Sequence, residues 1–500
     1  MHPTLSDQHP DTSRQESRFL VATLLMATAL FVLYSVGFSI TPGRCFTSYL
    51  EHYYGYLTFD TFARSVGSSY LLGWISQLSM SWIHVVFCLM YLAHLLTVYY
   101  TARLFGRLTA RIVMILMIFH VGVLNFFHQM GHAALLCLAL STWSAILVQF
   151  FRTRKHVTLF LLGLLTGSLM LIRQTSILFL LTAVFPVVCF GSTALNWMRS
   201  AVIGLGFLVA LFALLFYNYF TFNVFKLSSS IGLQVPTIHV AFFGPGFSTD
   251  YGPKNQELLK LMDARLGNED YKNKKITIDQ FNNNTLKNMQ QYTDLVMLNH
   301  EHPGVLTGAI YESILARPVI FIKSLLTMTW RMFTINPPLW PPSPNPEQKR
   351  TPQARQNDTA DYVVLDKTNL SKIMIDNEFK QTLKIPDELD PTRARINLIV
   401  DRFKQNGNYY ASFVFTSFLK DVLPPMLVFL LASFLLIFKI NALEVKLLLT
   451  ILIPTLMIIF GSGLIGQQLT DLRLPLDFLV ILGGVAGVLP VRATLGTETA

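Results

Sequence analysis

The sequence predicts an all-α polytopic membrane protein, and three observations predict it. Of 500 residues, 52% are hydrophobic and only 14% charged, against about a quarter charged in a soluble chain. The apolar residues gather into runs of roughly 17–25, the length that crosses a hydrocarbon core as a helix. Inside those runs hydrophobicity is continuous rather than alternating, which argues against a membrane β-barrel.

Taken in order, residues 1–18 read as an N-terminal tail. The first apolar segment, Phe19 to Ile40, is too long for a signal-peptide core and lacks a small-residue cleavage site, so it reads as a signal anchor. A first loop, 41–79, follows. Further spans are read at 80–104, 108–127, 133–151, 157–173, 175–192 and 198–221, closing an N-terminal membrane module over 19–221. Residues 222–420 form a polar region with helical rather than alternating patterning. It contains a proline-rich linker, 336–358, of extended character. Spans at 421–439, 445–464 and 474–491 make up a C-terminal module over 421–491, and 492–500 is a tail.

The net charge of +10 comes mainly from Arg and Lys in alternate short connections. These include Arg14 and Arg18, Arg103 to Arg111, Arg152 to Lys155, Arg199, and Lys439 with Lys446. This is the positive-inside pattern of a membrane protein and argues against nucleic acid as a partner. It places 41–79, 222–420 and 465–473 on the external face. "PVIFIKSLLTMTWRMF", 318–333, is apolar enough to be a further span, yet a lone crossing would invert everything after it. Lys323 and Arg331 suit an interfacial helix better. Three of the four cysteines, Cys88, Cys137 and Cys189, lie in predicted spans and Cys45 stands alone in a loop, so no intramolecular disulfide framework is readable.

Five segments, in order, resemble the GT-C glycosyltransferases, notably bacterial relatives of the dolichyl-phosphate-mannose protein mannosyltransferases and aminoarabinose transferases. "LTVYYTARLFGRLTARIVMILM" resembles the family's second span, its cytoplasmic turn and third span. "LFLLGLLTGSLMLIRQTSILFLL" is similar to its G-x-x-x-G-x-x-x-x-x-R-[PQ] segment, with Gly163, Gly167 and Arg173 in place. "YNYFTFNVFKLSSSIGL" resembles the stretch after the seventh span, with Asn223 where glycine is commoner. "ILARPVIFIKSLL" resembles an I-x-x-x-P-x-x-[FY] helix of the external part. "DLRLPLDFLVILGG" resembles the acidic-x-R-Y-x-x-P lead-in to the last span, with Leu474 replacing tyrosine.

The resemblance implies a GT-C-like bundle of about 10–12 transmembrane helices with an external helical region. It also implies sugar transfer from a polyprenyl phosphate to a glycan, lipid or protein acceptor on the outer face. Such a reaction needs a carboxylate to take the acceptor's proton and cations to stabilise the leaving phosphate. The family keeps its acid in the first external loop. Here Glu51, in "LEHYYGYL", is the first choice and Asp60, in "FDTFARSV", the second. Nine residues apart on one helix, they would face opposite ways. Arg173 and Arg473 are the candidates for the donor phosphate, with snorkelling as the structural alternative for Arg173. Asp471 reads as a partner of Arg473. His52, His128 and His132 complete the candidate set. The His128 and His132 spacing reads first as a polar loop lip, with a divalent-metal pair on one helical face as the alternative; no other cofactor is implied. The expected setting is multi-pass insertion in a bacterial inner membrane, or the ER membrane in a eukaryote, among membrane lipids. The competing class is a non-enzymatic membrane protein, either a degenerate family member or a transporter. Against the latter, no inverted halves with paired midplane charges are visible.

Overall fold

In lipid every backbone N–H and C=O must be satisfied within the chain, so long apolar runs fold as helices. The structure, a computed structural model, describes residues 10–37, 40–43, 46–55, 65–153, 155–223, 225, 227, 239–240, 244–266, 302, 304–334, 391–404, 426–463 and 473–490. Asp60, Asp471, Cys45 and the linker 336–358 lie outside these residues.

The chain begins with α1 (Pro10–Gly37), β1 (Thr41–Pro42), α2 (Phe46–Tyr53), α3 (Val66–Ile75) and α4 (Met80–Ala102). After a turn come α5 (Arg107–Ile118), α6 (Val121–Phe126), β2 (Gln129–Met130), α7 (His132–Thr153) and α8 (His156–Ile172). A 3-10 segment, Gln174–Val184, leads into α9 (Phe185–Phe190), and α10 (Ala194–Phe222) follows. The polar region supplies α11 (Pro253–Leu266), α12 (Val305–Ala316), α13 (Pro318–Thr334) and α14 (Pro391–Lys404). The last elements are α15 (Met426–Ser433) with a 3-10 continuation to Lys439, α16 (Leu443–Gly463), a 3-10 turn over Leu474–Leu476, and α17 (Asp477–Val488). Among the described residues the only strands are β1 and β2, which pair in parallel at Thr41–Gln129 and Pro42–Met130.

Among the described residues five helices are long and apolar enough to cross a membrane: Arg14–Val36, Met80–Phe105, His132–Phe151, Ala194–Thr221 and Leu443–Gly461. Four shorter apolar stretches pack with them: 156–172, 174–190, 426–439 and 474–488. Shortness does not prevent reach. The 11 residues of the 3-10 segment rise about 2.0 Å each and the 6 of α9 about 1.5 Å. Together they extend about 31 Å, the thickness of a hydrocarbon core.

The glycines of "LFLLGLLTGSLM" have a packing explanation. A Cβ on Gly163 would stand 2.0 Å from the Ile203 carbonyl oxygen, and one on Gly167 would stand 2.5 Å from Ala210 Cβ. From the other side, a Cβ on Gly206 would meet the Phe160 oxygen at 2.4 Å. Gly163-x-x-x-Gly167 on α8 thus faces Gly206-x-x-x-Ala210 on α10, the small-residue pairing that lets two membrane helices touch backbone to backbone. Arg173 caps α8 immediately beyond this contact.

One expected span is divided in two. The single span over 108–127 is two helices, α5 and α6, broken at Phe119 and His120. The break follows from His120, whose ring Nδ1 accepts the Val123 N–H at 3.3 Å and so caps α6. A side-chain acceptor for a backbone donor offers the chain an alternative to continuing the helix.

The bundle has two distinguishable ends. At one, Glu16 of α1 accepts the Tyr99 hydroxyl of α4 and meets Arg111 of α5 at 3.2 Å. At the other lie the finish of α1, the β1–β2 pair, α2, α3, the start of α7 and the finish of α8. We refer to them as the Glu16 end and the Glu51 end. α14 lies over the Glu51 end, packing on α2 and β1; Phe403 stands edge-on to Phe46 at 5.4 Å and Arg402 donates to the Ser76 carbonyl at 2.6 Å. A second, small core joins α11 to α12 through Leu258, Leu259, Leu306 and Ile310.

Candidate active site

Glu51 sits on α2, a helix of 8 residues that turns one face into the protein: Phe46, Tyr49, Leu50, Glu51 and His52 are all buried. Glu51 is 8% exposed. α2 ends at Tyr53, and Gly55 just after it has φ +84°, so the helix carrying Glu51 stops there and the one-helix premise of the opposite-face expectation is not met.

His52 is the hinge of a polar chain. Its Nε2 lies 2.9 Å from the Tyr217 hydroxyl of α10, and its Nδ1 lies 3.2 Å from Ser69 Oγ of α3. Burial pushes the imidazole down from 6.5 to about 4, so at neutral pH the ring is uncharged and carries one N–H. Ser69 donates to the Ser65 carbonyl at 3.2 Å, which assigns the ring proton to Nδ1 and leaves Nε2 to accept from Tyr217. The neighbouring Ser68 donates to the Ile172 carbonyl at 3.1 Å. Arg173 is the next residue and is 8% exposed. Its N–H bonds the Leu169 carbonyl at 2.8 Å, which places its positive charge at the carboxyl end of α8, where the helix dipole favours a cation. Two adjacent serines of α3 therefore tie the α2 segment carrying Glu51 to the α8 terminus carrying Arg173.

Around this core the end of the bundle is lined with further polar groups. Tyr49 and His132 Nδ1 are 3.0 Å apart, joining α2 to the start of α7. The Tyr34 hydroxyl donates to Asn125 at 3.0 Å. His128 is packed into the wall, 4.2 Å from the Phe31 ring and 4.5 Å from that of Tyr34 by ring centroids. Its Nε2 meets Ser35 at 2.9 Å and its Nδ1 the Leu124 carbonyl at 3.0 Å. Both ring nitrogens face protein partners. Because Gln129 and Met130 are extended, His128 and His132 do not share a helical face, and the metal-pair alternative fails on backbone geometry. Among the described residues no group of three His, Cys, Asp or Glu side chains is placed to hold a metal.

Arg473 lies at the same end, 2% exposed, with Nε 2.9 Å from Asp477 Oδ1. Asp477 Oδ2 in turn meets His120 Nε2 at 2.9 Å. Since His120 Nδ1 accepts from Val123, its proton is assigned to Nε2 and is donated to the carboxylate. Asp477 opens α17, where a helix N-terminus favours a negative charge. The described carboxylate beside Arg473 is thus Asp477, four residues after it, while Asp471, expected as its partner, lies outside the described residues.

Five participants are missing from the sequence reading: Ser68, Ser69, Tyr217, His120 and Asp477. Ser68, Ser69 and Tyr217 leave no signal, since a serine or tyrosine near a span end is ordinary. His120 and Asp477 do leave one. Each is an ionisable residue within an apolar run, a costly placement that marks a buried partner, and Asp477 stands at the i+4 spacing from Arg473 that a helix brings together.

No family, curated protein or solved structure matches the chain.

Proposed function

We propose that the chain is a GT-C-like membrane glycosyltransferase that moves a sugar from a polyprenyl phosphate to an acceptor hydroxyl at the Glu51 end. The observation that carries this reading is the placement of a buried carboxylate, Glu51, and a buried guanidinium, Arg173, on elements linked through Ser68, Ser69 and His52. The five segments that resemble the family lie in its order along the chain and supply the reaction class. The basic connections put the Glu51 end on the external face, where a lipid-linked sugar and an envelope acceptor meet.

In this reading Glu51 takes the proton from the acceptor hydroxyl as its oxygen bonds to the anomeric carbon. The bond from that carbon to the phosphate oxygen breaks, and the polyprenyl phosphate leaves carrying the electron pair. Arg173 faces the leaving phosphate, where low dielectric strengthens the attraction. Arg473 is the second candidate for that role because Asp477 already meets its charge. The acceptor is a glycan, lipid or protein of the cell envelope, and the setting is a bacterial inner membrane or the ER membrane.

The test is donor turnover by the purified protein in nanodiscs, offered polyprenyl-phosphate sugars one by one. At least one donor should release polyprenyl phosphate. Arg173→Ala should slow that release by about a hundredfold or more, the scale of losing a transition-state donor. Arg173→Lys should recover only part, having lost the planar fork. Equal turnover by Arg173→Ala at equal protein level would leave Arg173 a snorkelling residue. Failure to turn over any donor would remove the glycosyltransferase reading.

A further inference from the structure

One face of α13 carries an exposed apolar stripe. Val319 is 75% exposed, Ile322 53%, Leu326 54% and Trp330 56%. Spaced at three and four residues, they lie along one side of the helix. With Lys323 and Thr327 they line a trough of about 520 Å³. The opposite side is fastened to protein. Phe321 packs on the small core of α11 and α12, Ser324 Oγ lies 2.7 Å from His239 Nε2, and Met328 and Thr329 are buried.

Two further observations identify what covers the stripe. The chain bends by 97° between α12 and α13, so α13 does not continue α12 as one straight span. It packs instead on α16 and α15. α16 is long and apolar enough to cross a membrane, and its own surface exposes Ile453, Met457 and Phe460. The stripe on α13 therefore adjoins a surface of the kind that meets lipid. α15 is the first part of its arm, whose far end at Lys439 donates to the Ala486 and Leu489 carbonyls where α17 finishes. Because α17 starts beside His120, contact with α15 puts α13 toward the Glu51 end of the bundle.

We infer that α13 is an in-plane membrane helix. It lies in the headgroup region at the Glu51 end, with Val319, Ile322, Leu326 and Trp330 immersed in the acyl boundary. Lys323 reaches the lipid phosphates and Trp330 takes the interfacial position typical of its ring. The occupant is the bilayer itself, and the helix couples the α11–α12 core to the membrane surface. This holds whether or not the chain transfers sugar.

The experiment is site-directed spin labelling of the full chain in vesicles of phosphatidylcholine with phosphatidylglycerol. Native cysteines are replaced, and single cysteines are placed at Val319, Ile322, Leu326 and Thr327, which are exposed and tolerate a label. Collision with oxygen, which partitions into lipid, is compared with collision with a water-soluble nickel chelate. The expected result is oxygen contact at one common shallow depth for positions 319, 322 and 326, with the label at 327 nearer the headgroups. A depth that increases steadily along the helix would show a crossing segment, and free contact with the nickel chelate at every position would show a helix in water; either overturns the proposal. A lipophilic photoreactive carbene source gives a second reading on the unmodified chain. It should label the peptide containing 319–330 as heavily as the exposed face of α16, and an unlabelled peptide would count against α13 as a membrane helix.

Discussion

At the Glu16 end of the bundle the connections are short, and a few groups close off their charges. One carboxylate serves both Tyr99 and Arg111, and Lys439 Nζ donates to the last carbonyls of α17, reaching Ala486 at 3.0 Å and Leu489 at 2.7 Å. A lysine at a helix carboxyl end is an ordinary cap. At the Glu51 end the elements are brief and the backbone irregular, and three histidines, two arginines and two carboxylates are buried within them: His52, His120, His128, Arg173, Arg473, Glu51 and Asp477, with His132 half-buried beside them. The same helices thus carry inexpensive anchors at one end and costly polar groups at the other. Ionisable groups inside a membrane protein are retained where something must be held or moved, so the contrast supports placing the proposed chemistry at the Glu51 end.

The largest effect that would break this comparison concerns the structural part of the polar end. Asp477→Ala removes the carboxylate between Arg473 and His120, and breaking a buried pair costs about 3–5 kcal/mol. The variant should lose most of its stability in detergent, measured as a fall in unfolding temperature of the purified protein. Asp477→Asn, which keeps a hydrogen-bond acceptor for His120, should lose less. An unchanged midpoint for Asp477→Ala would mean that the pair is solvated rather than buried.

Next in size is the helix contact that sets Arg173. Gly163→Leu drives a side chain against the Ile203 oxygen, and overpacking a close contact costs about 1–3 kcal/mol. It should destabilise the protein by that order, whereas Gly204→Ala, on the same helix pair but with open space around it, should not. Equal behaviour of the two variants would remove the small-residue explanation for the G-x-x-x-G segment.

These two tests also mark where the sequence was sufficient. The helical class and the five long apolar helices were legible because membrane helices satisfy their own backbone, so continuous hydrophobicity and length decide them without tertiary context. The break at His120 was not legible, since it depends on a ring nitrogen competing for one backbone N–H. In the site, Glu51 and Arg173 stood out as charges beside apolar runs. Their linkage did not, because Ser68, Ser69 and Tyr217 come from α3 and α10 and are brought there only by packing. Asp477 was missed as a partner of Arg473 for a simple reason. Asp477 reads as part of the apolar run that follows it, while Asp471 reads as part of the polar loop.

A smaller effect would sharpen the comparison through pH. His52 is held neutral, with its imidazole pushed down from 6.5 to about 4. Between those values the unfolded chain takes up a proton that the folded chain refuses. The stability this ring contributes is therefore complete above pH 6.5 and is lost progressively as pH falls toward 4. Midpoints measured across that window should decline less in His52→Gln than in the parent, and a decline of the same size in both would assign the acid sensitivity elsewhere.

The central claim is that the Glu51 end performs general-base chemistry, and one comparison of rates tests it most directly. Glu51→Gln keeps the shape of the side chain and removes its basicity, so sugar transfer from the preferred polyprenyl-phosphate donor should fall by about 10²–10⁴-fold. Binding of the donor, measured separately in nanodiscs, should remain within a few-fold of the parent. Asp60→Asn, assayed beside it, should transfer at close to the parental rate. If Glu51→Gln transfers sugar normally while Asp60→Asn is inactive, the base is Asp60 and the site drawn around α2 is displaced. If both variants transfer at the parental rate, the claim that a first-loop carboxylate drives the reaction is wrong.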